Sequence, residues 1–148
     1  MSEERETLMA LLQYQRESVI RKVLGVDRAA AAHSPVPSGT SLLWLVKHLA
    51  LAEDLWFLAR FAGQDVADRE DTVTDSDTAE SLVARYRATW ARVDPVIAAA
   101  DLDDVVRKPD RRGPINLRWV IAHMLEETAR HAGHADILRE LIDGETGR

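Results

Sequence analysis

Four stretches of this sequence place apolar residues at steps of three and four, and glycine- or proline-containing breakers separate them. That period belongs to helices buried on one face, and no stretch shows the two-residue alternation of a half-buried strand. The first stretch runs from about Glu3 to Leu24, with Leu8, Leu11, Leu12, Val19, Ile20 and Val23 on its stripe and Gly25 as its stop. The second follows a loop rich in proline and serine (His33 to Thr40). Thr40 or Ser41 caps it, it carries Leu42, Leu45, Val46, Leu49, Trp56 and Phe61, and Gly63 ends it.

A polar, acidic connection from Gln64 to Asp77 comes next and reads as mobile and solvated. Asp77 or Thr78 caps the third helix, expected to reach about Ala100. Pro95 interrupts its pattern. A proline removes a backbone donor and crowds the preceding turn, so a restart with Asp94 as cap and Pro95 at the first position is expected. Asp101 to Pro114 is a loop, and Asn116 caps a fourth helix that continues to about Ile142 and stops at Gly144. Four long helices joined by three connections make an all-α four-helix bundle, and the whole length, residues 1–148, fits one domain. The tryptophans Trp44, Trp56, Trp90 and Trp119 are expected to fill its core.

The chain has no cysteine, which rules out disulfides, metal–thiolate sites and cysteine nucleophiles. Any metal must be held by His and carboxylate, and any thiol chemistry must use a thiol from outside. The net charge of −6 disfavours nucleic acid as a partner. No apolar run has the roughly 18 to 20 residues of a membrane helix. The segment Met1–Met9 is charged and lacks a signal-peptide core, so a cytoplasmic location is expected.

Three of the five histidines lie on the fourth helix, at His123, His131 and His134, together with Glu126 and Glu127. At about 100° per residue, His123, Glu127, His131 and His134 share one side, but His123 and His131 stand about 12 Å apart along the axis. One cation can therefore be reached only by pairs one turn apart: His123/Glu127, Glu127/His131 or His131/His134. Imidazole with carboxylate suits zinc, nickel, iron or manganese. A further ligand must come from elsewhere, and the remaining histidines are His33, in the proline-rich loop, and His48, inside the apolar run Trp44 to Ala50. A bundle can build a metal site between facing helices. The competing reading is that each histidine simply finds a hydrogen bond.

The segments Thr40 to Ala50 and Glu126 to Arg139 resemble the DinB-like superfamily of metal-binding helical bundles. The similarity extends to an actinobacterial subgroup of unassigned function related to the N-terminal domain of mycothiol-dependent maleylpyruvate isomerase. The resemblance implies His48, Glu127 and His131 as metal ligands, a His/Glu/His version of the family's three-ligand pattern. His123 and His134 are then pocket residues or lie behind the ligands, with His134 still open as a ligand. It further implies one divalent ion, zinc or nickel, with mycothiol or another small-molecule thiol as partner, and a homodimer. Three protein ligands leave a coordination position open, the arrangement of a catalytic site. The implied activity is a thiol-dependent transferase or isomerase acting on a small molecule. The alternative is a non-catalytic metal-binding or dimeric stress-associated module.

Overall fold

The computed structural model describes residues 2–67 and 70–147. Met1, Asp68, Arg69 and Arg148 lie outside the described residues, and two of them fall in the expected connection from Gln64 to Asp77. Among the described residues the chain is all-helical. Helix α1 is Glu3–Val23, α2 is Arg28–Ala32, α3 is Leu42–Glu53, α4 is Ala79–Ala98 and α5 is Leu117–Asp143. Helix α3 runs on without a break as a π-helical segment, Asp54–Phe61.

The starts obey the capping chemistry legible in the sequence. Ser41 Oγ accepts from the Trp44 N–H at 3.1 Å, and Asn116 Oδ1 accepts from the Trp119 N–H at 3.0 Å. Thr78 and Ser81 form a reciprocal capping box. Each side-chain oxygen satisfies a donor that the helix itself leaves unpaired. Gly144 closes α5 at φ +77°, in the left-handed region that a glycine enters without strain.

Three departures from expectation have physical causes. The short helix α2 was not anticipated; Asp27 caps it and four alanines carry it. Helix α4 does not restart at Asp94. It runs continuously through Pro95, because the missing N–H falls in the last turn and the Ala91 it would have served is exposed to water. The Asp94 carboxylate turns instead to Arg16, at 3.0 Å. Finally, the tryptophans divide: Trp56 and Trp90 are buried, whereas Trp119 is 36% exposed and Trp44 stacks on His48.

The helix directions follow from which ends meet. Arg118, at the start of α5, pairs with Glu4 at the start of α1, and Arg139, near the end of α5, donates to the carbonyls of Lys22 and Leu24 where α1 ends. Helices α1 and α5 are therefore parallel. Helices α3 and α4 are parallel too. Leu42 and Leu45 share one core cluster with Ala79 and Leu82, and Phe57 and Phe61 share the other with Val93 and Ile97. Helix α3 opposes α5, since Trp44 meets His131 at one end and Trp56 meets Trp119 at the other.

Parallel neighbours in sequence cannot be joined by a tight turn. The chain leaving Phe61 must return the length of α3 and its π-helical segment together, about 30 Å at 1.5 Å per residue, before α4 begins. This accounts for the long connection and carries it across the α3 surface. Its far end is pinned. Lys47 Nζ donates to the Thr72 carbonyl at 2.7 Å and to Asp77 Oδ2 at 2.8 Å, while Arg28 donates to the carbonyls of Thr74 and Asp77. The segment expected to be simply solvated is thus tied to α3 and α2.

The centre of the bundle holds a buried ion pair. Arg16 and Glu53 side chains are both fully inaccessible and meet in a bidentate pair at 2.7 and 2.8 Å. Gln13 and Asp94 take further Arg16 protons, and the guanidinium lies over the Trp90 ring at 5.2 Å. Burial works against the guanidinium charge, but the Glu53 carboxylate outweighs it and holds the Arg16 pKa above its ordinary value.

Glu53→Leu strands a buried cation and is expected to destabilise the fold by about 3 to 5 kcal/mol, whereas the double replacement Arg16→Met with Glu53→Leu costs less than the single one. Urea unfolding of the three proteins reads the order directly. A double variant less stable than the single one would show that the unpaired Arg16 charge carries no such penalty.

A second expectation concerns Asp77. Burial raises its carboxyl, but the Lys47 ammonium and the Thr74 amide outweigh burial and set the pKa below its ordinary value. A depressed folded-state value contributes stability above the unfolded-state value of about 3.9, and that contribution is lost as pH falls through the folded-state value. Below about pH 4 the wild type should therefore lose stability more steeply than Asp77→Asn, as followed by thermal unfolding at stepped pH.

Candidate metal centre

Two helices of opposite direction bring the site together. On α3, His48 lies one turn beyond Trp44, and on α5, Glu127 and His131 lie one turn apart. Glu127 Oε1 is 3.2 Å from His48 Nε2 and 3.0 Å from His131 Nε2. One ligand atom from each residue lies within 4.8 Å of the others, and this is the one such group of three found among the described residues. Two imidazole nitrogens and a carboxylate oxygen thus converge on one point from both sides of the α3–α5 seam.

The remaining ring nitrogens are engaged. His48 Nδ1 faces Asp71 Oδ2 and its Nε2 faces Glu127 Oε1, each at 3.2 Å, so the ring proton can be donated to either carboxylate, and a proton held by Asp71 frees Nε2 as a ligand. His131 Nδ1 meets His134 Nδ1 at 3.2 Å, one ring donating and the other accepting. Trp44 sets the ring planes. It stacks on His48 at 4.5 Å and 16°, and turns its edge to His131 at 5.8 Å and 77°. The three rings pack as a block, with His48 and His131 5.0 Å apart.

The electrostatics favour an ionised Glu127 and a neutral His131, the states that ligate cations. Burial raises the Glu127 carboxyl, but the hydrogen bond from His48 and the adjacent His131 ring outweigh it, so its pKa stands below the usual value. Burial pushes the His131 imidazole below its usual value despite the pull of Glu127. His131 is 9% exposed, and His48 and Glu127 are more open, on the side where a cleft begins.

That cleft has a volume of about 880 Å³. His48, Glu127 and Asp71 stand at its ligand end, and Leu55, Trp56 and His123 also line it. The other histidines are not in the three-donor group. His134 sits behind His131, and His123 stacks on Trp119 at 4.9 Å a full turn before Glu127. His33 is exposed and caps the end of α2. Arg130 is exposed, and Tyr86 is wholly buried against Trp90, with its hydroxyl 3.5 Å from Glu53.

Sequence reasoning missed Asp71 and Trp44 as parts of the site. Asp71 lies in a run of acidic residues with no local pattern, and only the return path of the crossover puts it on His48. Trp44 did carry a signal, since it precedes His48 by four residues and so shares its helix face.

The residues fit a bound ion. In a tetrahedral site with bonds of 2.0 to 2.1 Å, ligand atoms stand about 3.3 Å apart, and the 3.0 and 3.2 Å separations are close to that value. The set is compatible with a divalent cation.

Comparison with known proteins agrees with this architecture. Among solved structures, the chain is similar to a conserved protein from Enterococcus faecalis, with a TM-score of 0.72 at 20% identity over 98% of this chain and 99% of that one. At that identity the likeness concerns the fold alone. No curated protein matches the chain. The profile of the family described as mycothiol-S-transferase matches residues 7–144, nearly the full length and all of the ligand-bearing helices. The chain therefore belongs to the mycothiol-S-transferase family, a branch of the DinB-like helical proteins.

Proposed function

We propose that this protein binds one divalent cation, zinc or nickel, through His48, Glu127 and His131, and transfers a small thiol of the mycothiol type to an electrophilic small molecule. The observation that carries the reading is the convergence of His48 Nε2, Glu127 Oε1 and His131 Nε2 at the end of an open cleft. Three protein donors with a cleft before them match a catalytic rather than a closed structural site. Family membership supports the thiol. The lack of cysteine supports an external nucleophile, because the chain has no sulfur of its own to ionise.

A divalent ion in this position supplies Lewis acidity that keeps a bound thiol deprotonated at neutral pH. The protein's own groups orient and exclude. Asp71 fixes the His48 tautomer, His134 engages the outer nitrogen of His131, and Trp44 holds both rings. The cleft walls set the acceptor beside the ligand set. In the reaction, the thiol sulfur forms a bond to an acceptor carbon and that carbon loses its bond to the leaving group. The thiol proton is released to water when the thiolate forms, and the leaving group departs with the bonding electron pair.

Elemental analysis of untagged protein is expected to find about one equivalent of zinc or nickel, lost in both His48→Ala and Glu127→Ala. Protein that takes up no metal after exposure to excess ion and dialysis would sink the proposal.

Asp71→Asn keeps the three donors but weakens the acceptor for His48 Nδ1–H. Zinc affinity measured by chelator competition should fall by about 10- to 100-fold, with stoichiometry unchanged at saturation. An unaltered affinity would remove Asp71 from the ligand-orienting role.

A further inference from the structure

The cleft does not stop at the three donors. It continues along α3 to Trp56 and along α5 to His123. At 1.5 Å per residue these lie about 12 Å from His48 and about 6 Å from Glu127 along their helix axes. The far end is therefore within the reach of a small molecule whose other end lies at the ligand set.

Its walls differ from those of the ligand end. His123 is held between two indoles: it stacks on Trp119 at 19° and takes the edge of Trp56 at 4.8 Å and 65°. Leu51, Ala52, Leu55, Val66 and Ala67 supply an apolar wall, and Leu55 stands 43% exposed. Leu55 and Trp56 come from the π-helical segment, a backbone form that costs hydrogen-bond geometry and concentrates at functional sites.

The charge of the cleft selects further. Its ionisable lining consists of Asp54, Glu70, Asp71 and Glu127 with two histidines. Arg60 and Arg112 lie over the Trp56 ring at 4.8 and 5.5 Å, but both pair with Asp110 and neither is among the lining residues. Among the described lining residues an anionic acceptor would meet these carboxylates and no lysine or arginine.

We infer that the Trp56–His123 end of the cleft is the acceptor subsite, taking a flat, uncharged aromatic or conjugated electrophile against Leu55 and the two rings. This rests on the reading of the donor set as the thiol-activating centre and adds the class of molecule the thiol attacks. Ring edges and faces at this spacing favour a planar guest, and the exposed leucine gives it an apolar floor.

The test uses nitrobenzene, which is neutral and quenches tryptophan fluorescence, and its anionic analogue 4-nitrobenzoate. Both are titrated into the full chain, metal-free and zinc-loaded. Nitrobenzene should quench saturably in both forms, and 4-nitrobenzoate should bind the metal-free form about tenfold more weakly or worse. Leu55→Glu and His123→Ala should each weaken nitrobenzene about fivefold or more, with thermal unfolding confirming that the variants are folded. Equal or tighter binding of 4-nitrobenzoate by the metal-free form, or unchanged nitrobenzene affinity in both variants, would overturn the subsite. The two readings fail separately. Zinc uptake without nitrobenzene binding removes the acceptor subsite alone, whereas nitrobenzene binding without zinc uptake retains the subsite and removes the proposed centre.

Discussion

The buried pair of Arg16 and Glu53 fixes the frame on which everything else is placed. It joins α1 to α3 and, through Asp94 and Trp90, reaches α4. Apolar contacts tolerate small slides between helices, but two charges out of water tolerate very little, because each loses its partner as soon as the geometry opens. Glu53 is the last α-helical residue before the π segment, so the pair pins α3 at the point where its backbone geometry changes. Five residues before it stands His48, and three after it Trp56. The positions of both ends of the cleft are referred to this junction.

Much of the bundle could be read in the sequence because its causes are local. Stripes of three and four define the long helices, and Ser41, Thr78 and Asn116 declare their starts through side-chain oxygens that serve nearby amides. Glu127 and His131 share a face by simple helical arithmetic. Their meeting with His48 was implied by family resemblance, and the structure brings the three together.

What could not be read arises from non-local geometry. Nothing in the run from Gln64 to Asp77 says that α3 and α4 are parallel, and only that arrangement sends the crossover over His48 and delivers Asp71. The π segment is equally silent, since Asp54 to Phe61 carries the same apolar spacing an α-helix would. Pro95 misled for a related reason. Proline chemistry predicts a break, but its cost is small where the orphaned carbonyl meets water, and Asp94 had a stronger partner in Arg16 than a helix cap.

The parallel pairing of α1 with α5 has a kinetic consequence. Glu4 and Arg118 are 114 positions apart, and α1 with α5 forms the most extensive helix pair in the fold. A bundle of successive hairpins could assemble neighbour by neighbour, whereas here the first helix waits for the fifth, and loop-closure entropy is spent before that contact forms. During synthesis, α1 would emerge with its apolar stripe uncovered and remain so until α5 is made. His48 likewise would stand alone until Glu127 and His131 arrive. Assembly of the three donors is then a late event, coupled to the closure of the whole chain.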